Sequence, residues 1–84
     1  MEQNSKNYLD THKWVKDVIN SCKTYEQVNT CHKIIELWET QTRLKNPKID
    51  GFKISMMCSE LYYLIENKLK IIMTQWNYSL LYLL

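Results

Sequence analysis

One proline and one glycine occur in the 84 residues, and both fall within the segment Lys45-Asn46-Pro47-Lys48-Ile49-Asp50-Gly51. Proline lacks an amide hydrogen and fixes φ, and glycine raises the entropic cost of any regular element. With both breakers confined to one segment, the chain can run unbroken on either side of it. The pattern predicts an all-α protein: a short N-terminal helix followed by a long antiparallel helical hairpin. The sequence contains no alanine, so these helices must be held by packing of apolar faces rather than by intrinsic propensity.

Local signals divide the chain further. Residues 1–7 form a polar run, and 1–9 read as a frayed end. Asp10 or Thr11 would cap a first helix over 11–22, with Trp14, Val15, Val18, Ile19 and Cys22 on its apolar face. Thr24-Tyr25-Glu26-Gln27 matches the capping-box pattern and opens a second helix over 24–44. There Val28, Cys31, Ile35 and Trp38 alternate spacings of three and four, Ile34 and Leu37 widen the stripe, and Glu39 and Arg43 form an i,i+4 pair.

The third helix, over 52–84, carries two stripes. Tyr62, Ile65, Leu69, Ile72, Trp76 and Leu83 follow a seven-residue repeat, while Ile54, Met57, Leu61, Leu64, Ile71, Tyr78 and Tyr82 lie beside it. At 1.5 Å per residue this helix is roughly 48 Å long against about 30 Å for the second. Either the first helix continues the second nearly end to end, or another subunit covers the remainder. The first stripe is therefore expected to form a homo-oligomer interface, which would also relieve the poor surface burial of so short a chain. From Trp76 onward, alternation would also permit a strand; the continuing heptad favours helix.

Composition narrows the function classes. Eleven basic and nine acidic residues leave a net charge of +2, too little to draw the chain to nucleic acid or an anionic membrane. Read as a helix-turn-helix, the second helix sets Lys33 and Arg43 against Glu26, Glu36 and Glu39, a poor match to DNA phosphates. The apolar tail from Ile71 is interrupted by Gln, Asn and Ser and is shorter than the ~20 residues a membrane span needs. Cys22, Cys31 and Cys58 form an odd set without a C-x-x-C pair, and with His32 they do not read as a zinc site. Those cysteines, and an N-terminus without a signal-like apolar run, lead to the expectation of a cytoplasmic protein. His12 and His32 with Glu36, Glu39, Glu60 and Glu66 could supply acid and base groups. Glu66 and Lys70 instead form a solvated i,i+4 pair by spacing, and no nucleophile and base pair can be read. No enzymatic activity and no cofactor are expected.

The stretch Val18-Ile19-Asn20-Ser21-Cys22-Lys23-Thr24-Tyr25-Glu26-Gln27-Val28, followed by Cys31 and Ile34-Ile35, resembles a pattern in small helical accessory proteins of tailed phages. An A/T-rich coding genome would fit such a source, since Lys, Asn, Ile and Tyr number 10, 7, 8 and 6 against one arginine. Among such proteins the chain is similar to the anti-CBASS sponges, helical oligomers that sequester cyclic-nucleotide defence signals. That resemblance implies ligand binding by Tyr8, Lys23 and Thr24, with the ring stacking a base, the lysine meeting phosphate, and the helix N-terminus favouring the same anion. The expectation is a non-enzymatic phage accessory protein of the host cytoplasm that binds or sequesters a host defence molecule, either nucleotide or protein. A virion structural or assembly protein and a DNA-binding regulator are the alternatives.

Overall fold

A computed structural model describes the backbone of residues 7–83 and the side chains of residues 7–75. Three helices follow one another: α1 over Tyr8–Ser21, α2 over Tyr25–Lys45 and α3 over Gly51–Leu83. Helix α1 starts earlier than Asp10 because Asn7 takes the cap, its Oδ1 accepting from the amides of Leu9 (2.9 Å) and Asp10 (3.0 Å). Asp10 then sits in the first turn, where a carboxylate complements the positive end of the helix dipole. Extended backbone at Cys22 ends α1, and the Thr24 capping box opens α2.

The breaker segment acts as its composition dictates. Asn46 closes α2, its amide and its Nδ2 both donating to the Thr42 carbonyl at 3.0 Å, and Pro47 prevents continuation. Asp50 caps α3 by accepting from the Phe52 amide at 3.0 Å. Gly51 belongs to α3 and has no positive φ. What it provides is room: a Cβ there would stand 3.2 Å from an Arg43 guanidinium nitrogen. Arg43 uses that space to bridge α2 and α3, pairing with Glu39 and donating to Ser55 Oγ at 3.1 Å.

Long-range contacts fix the helix directions. Along α1, Tyr8, His12, Lys16 and Asn20 meet Lys53, Met57, Glu60 and Lys68 in the same order, so α1 runs parallel to α3. Helix α2 is antiparallel to both, with Trp38 meeting Thr11, Cys31 meeting Cys22 and Arg43 meeting Ser55. The α2–α3 hairpin is thus joined by an α1 that folds back alongside it, and not by one lying end to end with α2. The result is an elongated up-down-up bundle of 56 × 27 × 15 Å. Among the described residues no helix is long and apolar enough to cross a membrane.

The core follows from this folding back. Val15 and Ile19 of α1, Val28, Cys31, Ile35 and Trp38 of α2, and Ile54, Cys58, Leu61, Ile65 and Ile72 of α3 are buried together. The α3 seam draws from both sequence stripes at spacings of four, three and four, with half-buried Leu69 between Ile65 and Ile72. Ile65 and Ile72, expected to face a second subunit, lie inside the protomer, in the core that α3 shares with α1 and α2; Tyr62 and Leu69 pack against the same core. The side chains of Trp76 and Leu83 lie outside the described residues.

On α1 the roles of two residues are exchanged. Trp14, expected inside, is 57% exposed, whereas His12 is buried. The imidazole finds two partners there: Nε2 donates to the Met57 carbonyl at 3.0 Å, and the ring packs on Trp38 at a centroid distance of 5.1 Å. A polar group so satisfied can be buried at little cost. Trp38 in turn donates from Nε1 to Thr11 Oγ1 at 2.9 Å, so one polar chain links all three helices.

Candidate functional site

Tyr8 and the pair Lys23 and Thr24 are not neighbours within a protomer. They sit at opposite ends of α1, about 22 Å apart along the helix axis at 1.5 Å per residue. The Tyr8 ring lies 5.6 Å from Lys53 Nζ, a cation–π contact that holds the start of α1 to α3. Thr24 serves the fold: its hydroxyl accepts from the Gln27 amide at 3.2 Å, and Gln27 Oε1 accepts from the amides of Lys23 (2.7 Å) and Thr24 (3.3 Å). The carboxamide thereby occupies part of the helix N-terminus that an anion would use.

Lys23 itself borders a cavity of about 180 Å³ between the α1–α2 junction and α3. Lys68 lines the same cavity, and its Nζ donates to the Asn20 carbonyl at 2.9 Å and is thereby held over the end of α1. Ile71, Ile72 and Cys22 add apolar lining, and Asn20 and Gln75 polar lining. A lining that combines two lysines and two isoleucines suits a ligand with an anionic group and an apolar face. The volume accommodates a phosphate and part of a ring, below the ~300 Å³ at which whole small-molecule pockets begin. A larger ligand would extend onto the surface or onto a second copy of the chain.

Lys68 escaped the sequence reading because no motif marks it. Its place in the groove depends on α1 running parallel to α3, a tertiary outcome with no local signal. Nothing in the spacing of Lys23 and Lys68 announces a shared wall.

Two other clusters carry titratable groups. Cys22 and Cys31 hold their sulfurs 3.2 Å apart at a cavity of about 230 Å³ beside Val18 and Ile34. Burial, with the contact from Cys22, pushes the Cys31 thiol up to about 12, and burial near Glu39 pushes Cys58 up to about 11, with Arg43 opposing. Both therefore remain protonated thiols at neutral pH, unlike reactive cysteines. Among the described residues no group of three or more His, Cys, Asp and Glu side chains could hold a metal ion.

The second cluster is His12, Lys16 and Glu60. Lys16 donates to Glu60 at 2.9 Å, which holds that carboxyl below its usual range, and His12 Nε2 lies 3.7 Å away. Here the histidine proton is directed at the Met57 carbonyl, so the group serves to join α1 to α3. His32 is exposed and stacks on Tyr62 at 5.7 Å.

No protein-family model, curated protein or solved structure matches the chain.

Proposed function

We propose that this chain is a non-enzymatic binding protein that self-associates and sequesters a small phosphate-bearing molecule at the α1–α2 junction. The observation that carries this reading is that Lys23 and Lys68, from two separate elements, line one cavity together with Ile71 and Ile72. Lys68 is pre-positioned by the Asn20 carbonyl, so a phosphate arriving between the two ammonium groups meets one lysine already ordered. Cyclic nucleotides combine the required anion with a flat apolar face. They are also the ligand class implied by the resemblance to anti-CBASS sponges, and a phage accessory protein of that kind would act against host defence from the host cytoplasm.

Exposed Leu37, Leu44 and Phe52 favour a second reading, in which the chain docks on another protein as an assembly or anti-defence factor.

Thermal unfolding with cyclic di- and trinucleotides distinguishes the two. At a hundredfold excess over the dissociation constant, a ligand confined to the folded state contributes about 2.7 kcal/mol, and for a chain of this size each kcal/mol raises Tm by about 4–8 °C. Lys23→Ala and Lys68→Ala are expected each to remove the shift. A wild-type protein whose Tm is insensitive to every such nucleotide rejects the phosphate reading.

A further inference from the structure

Helix α3 has a second apolar seam on the side away from its core. Phe52, Met56, Tyr63 and Met73 are each at least half exposed, and their separations of four, seven and ten residues place them on one face. The buried Ile54, Leu61 and Ile65 lie on the opposite side of the helix. Glu66 and Lys70 occupy the same outward register between Tyr63 and Met73. Though spaced as an i,i+4 pair, neither makes an ion pair within the protomer among the described residues.

We infer that this seam is the contact surface for a second copy of the chain, the two α3 helices crossing antiparallel about a twofold axis on the outward face of α3, midway between Glu66 and Lys70. The charges select that occupant and that direction. A parallel, in-register pair sets Glu66 against Glu66 and Lys70 against Lys70, which is repulsive. Antiparallel pairing about position 68 sets Glu66 of each copy against Lys70 of the other, and Tyr63 against Met73. Every contact then occurs twice, as an isologous interface requires, and the opposite charges set between Tyr63 and Met73 within the seam fix partner and orientation. The surface gives an address to the self-association in the proposed function, whereas ligand binding at the Lys23 and Lys68 groove is a separate property.

Sedimentation velocity at micromolar concentration tests it. Wild type is expected at two or more chain masses. Glu66→Lys, Lys70→Glu and Tyr63→Lys are each expected to raise the dissociation constant of the α3 contact at least about tenfold, with unchanged helical circular dichroism because all three side chains are exposed. The double swap E66K/K70E should recover wild-type association, since it restores the pairing with its signs exchanged. A wild-type monomer, an unchanged mass in Tyr63→Lys, or a double swap as weak as the single variants overturns the inference. Nucleotide-induced Tm shifts measured on the same variants report the groove independently, so failure of one property is not mistaken for failure of the other.

Discussion

Ile65 and Ile71 allow the same chemical change to be made on two sides of α3. Ile65 is 1% exposed in the core and Ile71 is 51% exposed. Replacing Ile65 with alanine removes three buried carbons at about 0.8 kcal/mol each, and the incompletely collapsed cavity adds on the order of 1 kcal/mol. The expected loss is therefore ~3 kcal/mol, a large share of the roughly 4–13 kcal/mol typical of a chain this long. Ile71→Ala removes carbons already half in water and gains helix propensity, so its cost is at most ~1 kcal/mol. Urea unfolding followed by circular dichroism, at one fixed protein concentration, reads both. With an m-value of about 1 kcal/mol per molar urea, Ile65→Ala should lower the midpoint by ~3 M and Ile71→Ala by ~1 M or less. Equal shifts, or a larger one for Ile71→Ala, would mean that α3 is rotated about its axis relative to α1 and α2, and would refute the assignment of the buried seam.

Other consequences are as direct. Thr24→Ala should destabilise the protein by about 1 kcal/mol and Thr24→Ser by little, as read from urea midpoints; an unchanged Thr24→Ala midpoint would mean the capping box is absent in solution. The Lys16 hydrogen bond depresses the folded carboxyl of Glu60, so its contribution is fully present above the ordinary carboxyl range and is lost as pH falls through the folded value. Because Glu60 is about half exposed, wild type should exceed Glu60→Gln by only a few tenths of a kcal/mol at pH near 6, and a gap that does not shrink as pH is lowered below the ordinary carboxyl range would contradict the pairing. With Cys31 pushed up to about 12 and all three cysteines buried, Ellman's reagent at neutral pH should titrate the thiols only after unfolding; prompt labelling of the native protein would contradict their burial.

The features legible in the sequence are the local ones. Pro47 and Gly51 marked the break between α2 and α3, Thr24 with Gln27 marked the start of α2, and Val28, Cys31, Ile35 and Trp38 gave its buried face through regular spacing. The start of α1 was misread because Asn7 and Asp10 are equally good caps, and Asn7 prevails where Tyr8 packs on the core and Lys53. His12 and Trp14 exchanged places because hydrophobicity ranks tryptophan as the inner residue, whereas a backbone carbonyl and an indole ring can satisfy an imidazole. Rotation of α3 was hidden by its abundance of apolar residues: the seam through Ile54, Cys58, Leu61, Ile65 and Ile72 combines both stripes. Lys68 acquires its place from the path of α1 alone.

Native mass spectrometry of the protein, taken directly from expressing cells without exchange into ligand-free buffer, tests self-association and ligand retention in one spectrum. Binding by an α3-linked oligomer predicts a mass that is a multiple of the 10.2 kDa chain, carrying a non-covalent adduct of nucleotide mass that departs on collisional activation and is missing from Lys23→Ala. A bare 10.2 kDa species, with neither adduct nor higher assembly, would contradict the account.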